Sequence, residues 1–258
     1  MRGSWDDCAA NGWNSSALEP ASRALRDVTS LSIVIPTLNE ADGIVGQLLA
    51  LQGLRSRGVE LIVADGGSAD STPSLAAPLA DAVVSSPRGR GAQMNAGASK
   101  ASGDILLFLH ADTRLPEEAD KLIRAGLANG AQRWGRFDVA IDGESAWLGM
   151  IAWFMSERSR LTGIATGDQA IFVCRDLFLA SGGFPDIPLM EDIALSKQLK
   201  RAGRPLCLRK RVVTSGRRWD DGGVIATIAL MWRLRLAFFF GVDPAKLAQI
   251  YGNARRAE

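Results

Sequence analysis

The chain has 258 residues, 47% of them hydrophobic and 22% charged, which excludes an intrinsically disordered chain and a polytopic membrane protein. Its 30 Lys and Arg oppose 28 Asp and Glu for a net charge of +2, so no overall field argues for nucleic acid. The length suits one large α/β domain or two small ones.

Residues 1–29 are polar and rich in Gly, Asn and Ser, with two isolated tryptophans. They read as a flexible leader, without the apolar core of a signal peptide. Cys8, Cys174 and Cys207 are widely spaced and odd in number. They suit a reducing, cytoplasmic setting and form neither a disulfide framework nor a metal knuckle.

Organised structure is expected from Leu31. Leu31–Ile35 reads as a buried strand that Pro36 ends, because proline cannot donate to a ladder. Ile44, Val45, Leu48, Leu49 and Leu51 give residues 43–54 helical spacing. A second strand at 59–64 runs into Asp65-Gly-Gly-Ser-Ala-Asp-Ser-Thr72, whose glycines let a backbone approach a ligand while Asp65 stands at the strand tip. A third strand at 82–85 leads into Pro87-Arg-Gly-Arg-Gly-Ala-Gln-Met-Asn-Ala-Gly97. That loop lacks the spacing of a dinucleotide fingerprint, and no GxxxxGK[ST] occurs. Arg90, between glycines at a helix start, is either an anion site or an idle surface arginine. Strands alternating with helices predict a mostly parallel sheet.

The central stretch is Ala101-Ser-Gly-Asp-Ile-Leu-Leu-Phe-Leu-His-Ala-Asp-Thr113. Ile105–Leu109 reads as a buried strand, and strand alternation would turn His110 and Asp112 the same way. His110 is the only histidine. A cation carrying phosphates needs only one or two protein carboxylates, which suits Asp112. The alternative is a capping Asp before the helix start at Leu115-Pro116-Glu117, with a partly buried His beside it.

In the second half, residues 137–141 read as a strand and 146–155 as a helix rich in Trp and Met. Thr166-Gly-Asp-Gln169 precedes an apolar run, and Gly182-Gly-Phe-Pro185 is a turn. Glu191 and Asp192 fall in the first turn of a helix. There they either complement its dipole or hold a carboxylate over a cleft as general base. After a strand at 206–213, Arg217-Arg-Trp219 is either a diphosphate clamp or a solvated basic turn. Residues 224–240 are apolar except for Thr227, Arg233 and Arg235. A spanning helix needs about 20 predominantly apolar residues, so the expectation is a packed helix or a peripheral membrane contact with snorkelling arginines.

In this order the segments resemble the family 2 glycosyltransferases of the GT-A nucleotide-sugar fold, over residues 31 to about 220. The resemblance rests on Ile33-Val-Ile-Pro-Thr-Leu-Asn-Glu40, Val63-Ala-Asp-Gly-Gly-Ser68, and His110-Ala-Asp112 in place of the family's Asp-x-Asp. It rests also on Glu191-Asp192 and on Arg217-Arg-Trp219, which lacks the Gln of the related signature. More narrowly, residues 89–97, 109–113, 166–169 and 188–192 are similar to a bacterial subgroup labelled arsenosugar-biosynthesis glycosyltransferase, some of whose members are called carotenoid-acid glycosyltransferases.

The expected division is a leader at 1–29, a C-terminal helical extension at 221–258 and, between them, the Rossmann-like GT-A domain with flanking helices that the resemblance implies at 30–220. The resemblance also implies an inverting, metal-dependent transfer from a UDP- or GDP-sugar to a hydroxyl or carboxylate acceptor, small or lipid-like. Pro36, Thr37, Asn39, Glu40 and Asp65 would line the base and ribose pocket, with Ala111 beside them. Arg90, Arg218 and Trp219 would approach the diphosphate. Asp112, with or without His110, would hold Mn²⁺ or Mg²⁺, and Asp192, seconded by Glu191, would be the base. Two other readings compete: a polyprenyl-phosphate glycosyltransferase of the same fold, and a catalytically silent sugar-nucleotide-binding protein.

Overall fold

The computed structural model describes residues 30–217, 219 and 223–256; the expected leader and Arg218 lie outside them. The first half alternates as expected: β1 (Leu31–Thr37), α1 (Ala41–Arg55), β2 (Val59–Asp65), α2 (Thr72–Ala76), β3 (Ala82–Ser85), α3 (Arg90–Lys100) and β4 (Ile105–Phe108). A two-residue strand β5 (Thr113–Arg114), α4 (Ala119–Leu127), β6 (Trp134–Asp142) and α5 (Leu148–Thr162) follow. Then come a 3₁₀ turn at Gly167–Gln169, β7 (Phe172–Cys174), α6 (Arg175–Ala180), α7 (Glu191–Leu199), β8 (Leu206–Ser215), α8 (Val224–Phe239) and α9 (Pro244–Arg256).

The eight strands form one sheet in the order β3-β2-β1-β4-β7-β6-β8-β5. Pairing is parallel from β3 through β4, antiparallel at β4–β7 and β7–β6, and parallel again at β6–β8. β1 is buried along its whole length, as a strand between two parallel neighbours should be. The fold is mixed α/β, with helices flanking a sheet whose parallel half comes first.

Pro36 does not end β1, which continues to Thr37, with Pro36 opposite Ala64. The Val34 carbonyl accepts from Leu109 N–H on the β4 side. Two residues on, Pro36 faces that same edge past the last β4 pairing at Phe108. Its missing N–H therefore costs no ladder bond.

Close backbone packing fixes α3 against the sheet. A Cβ on Gly97 would come within 2.3 Å of Val34 Cγ1. Across the sheet, the fully buried Arg136 donates to Ser159 Oγ and the Ser156 carbonyl of α5 and pairs with Asp138. Arg160 of α5 closes the network on the same Asp138 through both carboxylate oxygens at 2.9 Å. A buried charge is tolerated only when its donors are satisfied in this way.

The C-terminal helices have a small apolar cluster of their own, Met190, Ile193, Leu234 and Leu247. It joins α8 and α9 to the start of α7. Thr227 and Leu234 are buried on α8, while Ile225, Trp232, Leu236 and Phe239 are exposed. Among the described residues no helix is long and apolar enough to cross a membrane.

Gly97→Ala should lower stability by about 1–3 kcal/mol through overpacking against β1. Gly46→Ala should raise it by about 0.5–1 kcal/mol, because an added Cβ there meets nothing within 4 Å and alanine is the better helix former. Urea midpoints at unchanged m-value read both effects.

Candidate active site

The cleft lies where β1, β2 and β4 end, and its first wall is built by short local bonds. The buried Gln93 side chain of α3 donates to the Thr37 and Ala64 carbonyls at 2.6 and 3.1 Å, clamping the tips of β1 and β2 together. Asp65, 5% exposed, folds its own loop. Its carboxylate accepts from Gly67 N–H, Ser68 N–H and Ser68 Oγ at 3.0, 2.9 and 2.5 Å. Asn39 sits at φ 54°, donates its N–H to Ser68 Oγ and accepts from Ala69 N–H. Asn39 and Asp65 thus shape the two loops that Pro36, Thr37 and Glu40 share.

Glu40 links this wall to Asp112. Burial, then the Asp112 charge, raises its carboxyl above the usual range, with Arg217 and Arg90 pulling the other way. Carboxylate oxygens are the kind of hard ligand a divalent cation takes. Among the described residues no three His, Cys, Asp or Glu side chains converge as a cage, so any cation there would depend on substrate oxygens.

His110 and Asp112 do not share a strand face. β4 stops at Phe108, and the His110 carbonyl accepts from Thr113 N–H in a turn, so strand alternation does not operate at 110–112. The Asp112 charge acts on Glu40. His110 instead packs on the Gly167–Asp168 turn, with Nδ1 3.4 Å from Asp168 Oδ1. A Cβ on Gly167 would fall 2.3 Å from His110 Nε2.

That turn also orients the acidic pair. Gly167 N–H donates to Asp192 Oδ2 at 2.8 Å, and Asp192 Oδ1 accepts from Ile193 N–H at 2.7 Å. Ser196 of α7 bonds both the N–H and the carbonyl of Ala165, so α7 and the turn form one unit. Glu191, 5% exposed, has its carboxyl raised by burial first and by Asp192 second, with Arg90 and His110 opposing. Arg90 is crowded by protein atoms, which disfavours its charge. Glu191, Asp168, Tyr251 and Asp192 more than offset this and hold its guanidinium above its ordinary value.

Arg90 reaches α7 because Gly91 has no side chain: a Cβ there would lie 2.9 Å from the Pro185 carbonyl and 3.7 Å from Glu191 Cβ. Asn95, one turn on, bonds both polar groups of the Phe184 backbone. A recess bounded by Arg90, His110, Gly167, Asp168, Glu191 and Asp192 results. Three non-glycine residues with positive φ, Asn39, Ala170 and Met190, flank the two walls; such strain concentrates at functional sites.

Of the expected residues, the structure gathers Arg90, His110, Glu191 and Asp192 in this recess. Glu40 and Asp112 interact with each other, and Asp65 stands on the β1–β2 side. Ala111 lies in the turn between His110 and Asp112 and packs against the main core. Trp219 lines an adjoining pocket beside Asp168. Sequence reasoning left Gln93, Asn95, Gly167 and Asp168 without structural roles, although the quoted runs 89–97 and 166–169 contain them.

The family described as Glycosyl transferase family 2 matches residues 32–175, more than half the chain, and the chain belongs to it. The succinoglycan biosynthesis protein ExoO of Rhizobium meliloti (strain 1021) is 33% identical over 115 residues, 42% of this chain and 33% of that protein; the match spans about a third of that relative's length. Among solved structures, S. aureus TarS 1–349 in complex with UDP-GlcNAc has a TM-score of 0.60 at 18% identity, covering 72% of this chain and 58% of that one. The Pyrobaculum calidifontis mannosyltransferase PcManGT in complex with GDP-Man and Mn²⁺ has 0.58 at 21%, covering 86% and 71%. Glucosyl-3-phosphoglycerate synthase from Mycobacterium tuberculosis, in complex with Mn²⁺, UDP and phosphoglyceric acid, also has 0.58 at 21%, covering 90% and 84%. These likenesses establish the GT-A type of fold.

The raised Glu191 carboxyl makes a signed prediction. Its ionised form is disfavoured in the folded chain, so its contribution to stability is greatest below the unfolded value near 4.5. That contribution falls as pH rises through the folded value. Glu191→Gln should therefore have a higher Tm than the parent at pH 8 and an equal one at pH 4, read by scanning calorimetry.

Proposed function

We propose that the chain transfers a sugar, with inversion, from a UDP- or GDP-sugar to a hydroxyl or carboxylate acceptor. The observation that carries this is the Glu191–Asp192 pair facing Arg90 across a recess at the carboxyl ends of parallel strands, where α/β sheets bind ligands. Pro36, Thr37, Asn39, Glu40 and Asp65 are assigned to base and ribose, and Arg90 to the diphosphate. Arg218 keeps the diphosphate role the family resemblance gives it. Structural relatives solved with GDP-Man and Mn²⁺, or with UDP and Mn²⁺, support the donor class.

Asp112 is the residue to hold Mn²⁺ or Mg²⁺, since its charge meets the raised Glu40 carboxyl. A bound cation neutralises charge on the leaving diphosphate. His110 serves as a positioning group, because its ring nitrogens meet the Gly167–Asp168 turn.

Asp192, fixed by Gly167 N–H, takes the proton of an acceptor hydroxyl as that oxygen bonds the anomeric carbon. The bond from that carbon to the diphosphate oxygen breaks, and its electron pair leaves with the nucleotide diphosphate. A polyprenyl-phosphate acceptor is already ionised and needs no base, so the Glu191–Asp192 pair speaks against that alternative. The arsenosugar and carotenoid-acid acceptors implied by the subgroup resemblance are the two acceptor pools to assay.

The test is a panel of labelled UDP- and GDP-sugars with Mn²⁺ or Mg²⁺. Asp112→Asn should abolish the metal response of donor binding with the fold intact. Asp192→Asn should keep donor affinity within about twofold and lose about 10²–10⁴ in hydroxyl transfer, the usual worth of a general base. Unchanged turnover in Asp192→Asn would assign the base elsewhere, and donor binding without turnover in the parent would make the chain a silent binder.

Peripheral lipid contact through 224–240 is part of the proposal. It is supported by Ile225, Trp232, Leu236, Phe239 and Phe240, all half or more exposed, beside Arg233. The chain should float with anionic liposomes at low salt and be released at high salt; recovery wholly in the aqueous fraction at low salt removes this contact.

A further inference from the structure

Beside the recess, α5 and α8 enclose a second pocket of about 320 Å³, within the range of small-molecule sites. Its walls include Met150, Trp153, Phe154, Ile228, Met231 and Trp232, and its charged lining residues are Arg158, Arg235 and Asp168. Asp168, Met231 and Arg235 line both pocket and recess, so the two are continuous.

Arg158 is the unusual member. Its Nε and Nη2 atoms are buried and donate to no partner among the described residues, a costly state for charged N–H groups. Burial and the Arg235 and Arg136 charges pull its guanidinium down to about 10, against the opposing pull of Asp192. Each nitrogen of the Arg136 guanidinium, by contrast, has a partner. An apolar wall and a partnerless guanidinium fork describe the negative image of one kind of molecule.

We propose that this pocket is the acceptor site and takes an amphiphile with an anionic head. The head, carboxylate or phosphate, is bound by Arg158 with Arg235 beside it, and the apolar body lies against Trp153, Phe154 and Trp232. A guanidinium gives an oxyanion two parallel, charge-assisted bonds, and an apolar chain removes exposed aromatic surface from water. The head would then sit next to Asp168, at the edge of the recess holding Asp192. One of the two walls, α8, lies outside the residues that match the family, which suits an element that sets acceptor choice. This inference rests on the transferase reading for the word acceptor, while the binding site itself does not.

The experiment titrates the full chain with dodecanoate, dodecyl phosphate and dodecanol, following tryptophan fluorescence and heat. In parallel, UDP and GDP are titrated with Mn²⁺ on the same samples. At least one anion should bind one per chain, at least tenfold more tightly than dodecanol. Arg158→Met should erase that preference while nucleotide binding stays unchanged. Trp153→Ala, at a side chain 60% exposed, should weaken all three probes alike and covers the case in which Arg158→Met does not fold. Equal binding of alcohol and anions, an unchanged preference in Arg158→Met, or no anion binding overturns the proposal. Loss of nucleotide binding in the parent would instead overturn the transferase reading and leave the pocket standing.

Discussion

The site depends on one backbone contact, the seating of His110 on Gly167. With no side chain at 167, the imidazole rests where a Cβ would be, and the same residue turns its N–H to Asp192. One glycine therefore ties the end of β4, the 3₁₀ turn and the start of α7. Ser196 adds a second tie from α7 to Ala165. The acidic pair is thus referenced to the parallel sheet, although α7 lies some eighty residues beyond β4 in the chain. Such indirect fixing is how a rigid scaffold holds reacting groups in register.

Electrostatics divides the cleft into two acidic walls with arginine between them. Glu40 is raised beside Asp112, and Glu191 is raised beside Asp192; Arg90 pulls both back toward ionisation. Arg217 acts on Glu40 as well, so each wall carries a carboxyl that its neighbouring cations only partly compensate. The Arg136–Asp138–Arg160 network differs because its groups satisfy one another. It holds α5 on β6 and gives every Arg136 nitrogen a partner, whereas Nε and Nη2 of Arg158, two residues before Arg160 on the same helix, have none among the described residues.

The sequence by itself determined the alternating first half, because buried parallel strands need continuous apolar runs and their helices need 3.6-residue spacing. It also placed Asp65, Arg90 and Asp192 at element ends, where local signals such as glycines and a helix's first turn are readable. Tertiary structure decided what those residues meet. Pro36 stays in its strand because β4 is shorter than β1, a fact of pairing that β1's own residues do not carry. His110 and Asp112 part company because β4 stops at Phe108 and the chain turns. The roles of Gly167, Gln93 and Arg158 come from contacts between segments tens of residues apart, and periodicity, which reports only on neighbours within a few turns, has no means of carrying them.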